Sequence, residues 1–154
     1  MNKQKVIEVY LNYLDRKIKD TENALESLYE GIDTAPGPSQ SHSDTTRFQQ
    51  SRVALETEGR LSSLKGTRAV ATLIPSVKLS SPIVGALIEI EDLGFGETEY
   101  YFVVPWQGGE SFLLDNTEVM SVSPQAPILD AVANAKEGDI FEFRGRRLKL
   151  ASIS

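Results

Sequence analysis

Apolar side chains recur three and four positions apart through the first thirty residues: Ile7, Leu11, Leu14, Ile18, Leu25, Leu28 and Ile32, with Thr21 as the one polar member. Lys, Asp, Glu, Asn and Arg fill most of the positions between them. This spacing predicts a long amphipathic helix that begins near Lys3, with Asn2 as its N-cap, and ends at or just after Glu30-Gly31. A seam this narrow requires a partner helix along its length. The Thr34–Ser41 stretch holds Pro36 and Pro38 and breaks the helix. A second charged run from Asp44 to Leu73 supplies the partner, with Ser43 or Asp44 as its cap. Its apolar positions, Phe48, Leu55, Leu61, Leu64 and Ala71, are interrupted by Ser51, Glu58 and Gly59, so its seam is poorer. Residues 1–75 thus read as an antiparallel two-helix coiled-coil hairpin with an irregular tip at 33–45. Tyr10 and Tyr13 are expected to pack at its base.

Beyond a linker at residues 76–82, the hydrophobic period changes to two. Strands are expected at Ile83–Glu91, Glu99–Pro105, Ser111–Leu114, Glu118–Val122, Ile140–Phe143 and Arg147–Ile153. Turns are expected at Asp92–Gly96 and Arg144-Gly145, and a short helix at Pro127–Ala135 with proline in its first turn. Residues 83–154 therefore read as a small, mostly antiparallel sheet with one short helix, making the chain α+β. The expected core is Leu87, Ile88, Tyr101, Val103, Leu113, Met120, Val122, Ile128, Val132, Phe141, Phe143, Leu148 and Leu150.

Charge sharpens this division. Residues 1–75 carry ten basic and ten acidic side chains, whereas 76–154 carry six basic and twelve acidic, so the net charge of −6 lies wholly in the second half. Such a balance argues against a duplex-binding surface, and no sequence-specific DNA binding is expected. The chain has no cysteine, which rules out disulfides, a thiol nucleophile and a cysteine zinc site. The longest apolar runs are far too short to span a bilayer, so no membrane role is expected and the cytoplasm is the default location. One histidine, His42, supports no Ser/His/Asp set. A free-standing enzyme has little to work with here.

Residues 121–150 carry a resemblance. Ser121-Val122-Ser123-Pro124-Gln125-Ala126-Pro127-Ile128-Leu129-Asp130-Ala131-Val132 is followed by Lys136-Glu137-Gly138-Asp139. This resembles the Gre transcription elongation factors (GreA/GreB), where a Ser-Pro-x-x-Pro element opens a short helix and a Lys-x-Gly-Asp turn leads into the closing hairpin. The order of a charged helical hairpin before a small sheet is similar too. The resemblance implies an FKBP-like sheet domain that docks on RNA polymerase at the rim of its secondary channel. Ser123, Pro124, Pro127, Gly138, Asp139, Arg144 and Arg146 would make that contact. The hairpin would enter the channel and act near the nascent RNA 3′ end.

In that family, acidic residues at the hairpin tip help the polymerase hold a second magnesium ion for hydrolysis of backtracked RNA; the factor needs no cofactor of its own. Asp44 matches one tip acid, Phe48 the aromatic residue that follows, and Asp33 stands for the other acid. Here the pattern departs: Asp33 and Asp44 lie eleven positions apart around a proline-rich insertion, where the family has two acids three apart. Both also read as local formers, Asp33 of a turn and Asp44 of a helix cap. A channel-binding regulator that blocks cleavage is therefore a second reading. A coiled-coil interaction module unrelated to transcription is a third.

Overall fold

The computed structural model describes residues 1–34, 41–106 and 108–154, and of residues 41–46 the backbone only. The elements in order are α1 (Lys3–Thr34), α2 (Ser41–Ala71), β1 (Leu87–Asp92), β2 (Thr98–Val103), β3 (Ser111–Leu114), β4 (Thr117–Val122), α3 (Pro127–Val132), β5 (Ile140–Phe143) and β6 (Arg146–Ile153). The chain divides into two compact units, residues 12–69 and residues 1–11 with 70–154. The 76–82 segment lies inside the second of these.

In the 12–69 unit the two helices run antiparallel. Asp15 pairs with Arg68, Glu22 with Lys65 and Tyr29 with Glu58, so one number rises as the other falls. The α1 seam is the expected one: Leu14 and Thr21 are buried, and Ile18, Leu25, Leu28 and Ile32 are half-buried. Thr21 is tolerated because its hydroxyl donates to Lys17 O at 2.7 Å within the helix. The α2 seam is the expected one at Leu61 and Leu64 but not before them. Phe48 and Leu55 are 72% and 67% exposed, and the inward column is Arg47, Gln50, Ala54, Thr57, Leu61, Leu64 and Arg68. That column also alternates three and four, but four of its seven members are polar, which hides it from a search for apolar spacing. The helices extend further than expected as well: α1 runs to Thr34 and α2 starts at Ser41. Ser43 and Asp44 therefore lie inside the first turn of α2 instead of capping it, and the 35–40 part of the expected tip lies outside the described residues.

In the other unit the six strands form one sheet in the order β3-β4-β2-β1-β6-β5. It is mostly antiparallel, as expected, with one exception: β2 and β4 run parallel, with Tyr100 opposite Val119 and Val103 opposite Val122. The cause lies in the connection. Asp115 and Asn116, both at positive φ, close a two-residue hairpin that makes β3 antiparallel to β4. Residues 104–116, with β3 among them, then form the crossover that parallel neighbours need. The first strand starts later than expected, at Leu87, because Gly85 takes positive φ and Ile83–Ala86 is a turn, with Ala86 N donating to Ile83 O.

Two cores cover the sheet. On one face Ile88, Ile90, Val103, Val122, Leu148 and Leu150 pack with Ile128, Leu129 and Val132 of α3. On the other, Phe102 and Phe112 meet the Tyr10 ring at centroid distances of 5.5 and 5.9 Å. Tyr10 thus packs on the sheet, not at the base of a hairpin, and burial pushes its phenol up to about 12. Helix α1 is anchored by its expected cap, Lys5 N donating to Asn2 Oδ1 at 3.3 Å, and by Lys3 Nζ donating to Val77 O at 2.6 Å.

Two core expectations fail together. Leu113 is 67% exposed and Met120 42%, whereas Phe112, Leu114 and Val119 are buried. Phe112 stands opposite Val119 on the Tyr10 side, so alternation turns Leu113 and Met120 to the opposite face. This assignment has a direct consequence. Phe102→Ala should cost about 3–5 kcal/mol in urea denaturation, and Leu113→Ala should stay within about 0.5 kcal/mol of the parent. Equal losses would show that the faces are assigned wrongly.

Candidate functional site

The two tip carboxylates fare differently. Asp33 stands exposed in the last turn of α1, where the Thr34 hydroxyl donates to Glu30 O at 2.8 Å. The side chains of Asp44 and His42 lie outside the described residues, although the backbone of both is helical. A carboxylate in the first turn of α2 is favoured by the helix dipole. Among the described residues no group of three His, Asp or Glu side chains is placed to hold a metal ion. Asp33 by itself is one oxygen donor of the kind hard cations use, and it completes a site only with ligands from elsewhere.

The Ser-Pro segment is a built loop. Ala126 N donates to Ser123 O at 3.0 Å and Leu129 N to Ala126 O at 2.8 Å, which brings Pro127 to the first position of α3. There its missing N–H removes nothing from the helix. Ile128, Leu129 and Val132 hold that helix on the sheet, leaving Pro124 and Pro127 exposed at its start and Ser123 half-buried. Gly108 packs against this loop so closely that a β-carbon there would strike the backbone of Val122 and Ser123.

The Gly-Asp turn is fixed with equal economy of atoms. Asp139 Oδ2 accepts from Lys136 N at 2.8 Å, Asp139 N donates to Lys136 O at 2.9 Å, and Gly138 takes φ +96° as its N–H donates to Leu150 O. Between these residues Glu137 pairs with Lys78 at 3.0 Å and accepts from Ile153 N at 3.1 Å. The Lys78 ammonium first, and then the Ile153 N–H, hold its carboxyl below the usual range.

Arg144 and Arg146 do not join this group. They lie beyond the other end of β5, about 16 Å further along the chain at 3.3 Å per residue. Arg144 occupies a positive-φ turn position with its guanidinium over the Phe143 ring. Arg146 is engaged inside the sheet: Nε donates to Asp92 Oδ2 at 2.7 Å and Nη2 to Glu99 Oε1 at 2.5 Å. These two carboxylates raise its pKa, Glu99 first.

Asp92 and Glu99, which the sequence reading passed over, are the centre of this end of the sheet. Asp92 is 2% exposed and its Oδ1 also accepts from Gly94 N at 2.7 Å and Phe95 N at 3.2 Å, so one carboxylate closes the β1–β2 turn. Burial pushes its pKa up, but the Arg146 guanidinium and the two N–H donors outweigh it and hold it below the usual value. Tyr101 donates to Glu99 Oε2 at 2.6 Å, and burial, then that carboxylate, raises its phenol. The available signal was Asp92 opening the Asp-Leu-Gly-Phe-Gly turn, since aspartate there bonds the backbone two residues on.

This geometry defines an α+β chain with an antiparallel helix pair and a mixed six-stranded sheet carrying one short helix; no described helix is long and apolar enough to cross a membrane. Solved structures similar to it include the transcription factor Gfh1, at 19% identity and TM-score 0.40, covering 94% of this chain and 93% of that one. Others are the GreA factor homologue Gfh1 of Thermus thermophilus (18%, TM-score 0.37, 94% of each chain) and Gfh1 of Thermus aquaticus (20%, TM-score 0.33, 92% of each). No protein-family model and no curated protein matches the sequence.

The Asp92 arrangement carries a pH signature. A carboxyl whose folded pKa is depressed stabilises fully above its ordinary value near 4, and that contribution is lost as pH falls through the lower folded value. Asp92→Asn should therefore be less stable than the parent at pH 7, with the difference shrinking toward pH 3 in urea titrations. A difference that stays constant would mean that Asp92 does not act through its charge.

Proposed function

We propose that this protein is a Gre-like transcription factor that binds RNA polymerase at its secondary channel and modulates elongation. The observation that carries the reading is the pair of backbone devices at Ser123–Pro127 and Lys136–Asp139. The residues that resemble the Gre stretch are the ones holding an exposed loop and an exposed turn in fixed shape. The antiparallel helix pair of residues 12–69 adds support, because a channel-entering probe needs two helices that brace each other. In this reading the FKBP-like sheet docks through Ser123, Pro124, Pro127, Gly138 and Asp139, with Arg144 as a separate contact. Arg146 acts by bracing the sheet.

The helix pair enters the channel with Asp33 and Asp44 toward the RNA 3′ end. Those carboxylates add oxygen ligands to magnesium that the polymerase holds, and the hydrolytic chemistry is that of the polymerase site. The protein works where the polymerase works, in the cytoplasm. A second reading is favoured by the spacing of the acids: with Asp33 and Asp44 eleven positions apart around a proline-rich insertion, the helix pair occupies the channel and blocks catalysis.

Three measurements separate these outcomes. The protein should co-purify with core RNA polymerase at low salt; no binding there ends the proposal. In halted complexes with backtracked RNA, a stimulatory factor shortens transcripts faster and an inhibitory one slows them, so the sign of the effect chooses between the readings. If the acids assist cleavage, Asp33→Ala with Asp44→Ala should lower the stimulated rate by roughly tenfold or more, about 1.4 kcal/mol of barrier. An unchanged rate would leave both aspartates structural.

A further inference from the structure

The face of the sheet that carries α3 is only half covered. Helix α3 packs over Val103, Val122 and Leu150, and toward the β3 edge the same face lies open. Tyr101 stands beside Met120 across the parallel β2–β4 pair, and Met120 is diagonal to Leu113 across the β3–β4 hairpin. Diagonal neighbours of this kind are within reach of one another. The three side chains therefore form a continuous apolar row over three strands, half-buried at Tyr101, 42% exposed at Met120 and 67% exposed at Leu113.

Carboxylates rim this row. Glu97, Glu99 and Glu118 alternate onto the same face, and a groove of about 410 Å³ lies among them, with Met120, Tyr101 and Arg146 in its wall. Arg146 answers Glu99 and shares its guanidinium with Asp92, so the uncompensated charge of the groove is that of Glu97 and Glu118. Among the described residues neither Glu97 nor Glu118 has an ion-pair partner. The row ends at β3, an edge strand, whose outer side is open to another strand.

We infer that this acidic, apolar-floored groove along β3 is a docking site for an extended basic segment of a protein partner, in which Lys or Arg alternates with Leu or Ile. The alternation follows from the pleat: a strand added to the β3 edge points every second side chain at the face that holds Leu113 and Met120. Its cations answer Glu97 and Glu118. The same carboxylates repel nucleic acid and anionic lipid headgroups. A second copy of the chain is a poor occupant, because its own alternating run, Arg147-Leu148-Lys149-Leu150, is locked in β6 between β1 and β5. This inference stands independently of the transcription reading.

The test is a titration of the isotope-labelled full chain with an end-capped ten-residue peptide of alternating Lys and Leu, followed by backbone amide shifts. Saturable shifts confined to residues 97–101, 111–114 and 118–120 are expected, with an affinity that weakens as salt rises. The Glu97→Lys, Glu118→Lys variant should keep the parent's spectrum elsewhere and bind roughly tenfold or more weakly. Leu113→Ser should weaken binding without altering charge. The inference is overturned by an equal response to a control peptide of alternating Glu and Leu, by shifts scattered over the chain, or by no binding. Indifference to charge reversal would overturn it too, as would peptide-free shifts at 111–120 that grow with protein concentration, which mean that a second copy sits there.

Discussion

Strand β2 lies in the middle of the sheet and must be buried on both faces, and most of the sheet unit follows from that requirement. Val103 faces the α3 side and Phe102 the other, and each is fully buried. A six-residue helix covers the Val103 part of one face; the second needs Val6, Ile7 and Tyr10 from the start of the chain. Removing a Phe-sized side chain from water contributes about 1.5–3 kcal/mol. The Tyr10–Phe102 edge-on contact adds about 0.5–1.5 kcal/mol beyond the area term. The first three turns of α1 therefore do the work of a core helix for the sheet, although in sequence they belong to the long helical seam.

That double duty explains what could and could not be read from the chain. The α1 seam was legible because every member but Thr21 is apolar and a threonine can bond its own helix. The β5–β6 hairpin was legible from short runs around Arg144-Gly145, and β3 and β4 as two short strands. The parallel β2–β4 pair was not, because nothing local distinguishes a strand that returns beside its predecessor from one that crosses β3 first. Leu113 and Met120 were misplaced for a related reason. In a four-residue strand reading Ser-Phe-Leu-Leu, two adjacent apolar residues compete for the core, and only the pairing of Phe112 with Val119 decides between them. The α2 column was hidden by its polarity: Gln50 and Thr57 face inward, and Gln50 Oε1 is buried without a hydrogen-bond partner among the described residues.

The candidate site was legible in part. Ser123, Pro124, Pro127, Gly138 and Asp139 stand out as residues that shape backbone, and they do shape it. Arg146 was read as a surface cation because its partners are 54 and 47 positions away in sequence, at Asp92 and Glu99. A cation held by two carboxylates, one of them nearly inaccessible, is a bracing element whose loss would leave a buried charge unpaired. Arg144, by contrast, lies with its guanidinium over the ring next to it in sequence.

The charge distribution gains meaning from this placement. The helical half is neutral because its acids and bases are equal in number, and Asp15–Arg68, Glu22–Lys65 and Arg52–Glu56 pair some of them on its surface. Exposed pairs of this sort contribute little stability, about 0–1 kcal/mol each. The sheet half keeps its acidic excess, and part of that excess is concentrated where Leu113 and Met120 lie bare. An exposed leucine alone is ordinary. An exposed apolar row ringed by like charges is a different matter, because Arg146 answers Glu99 alone among them and a docked cationic strand would answer Glu97 and Glu118.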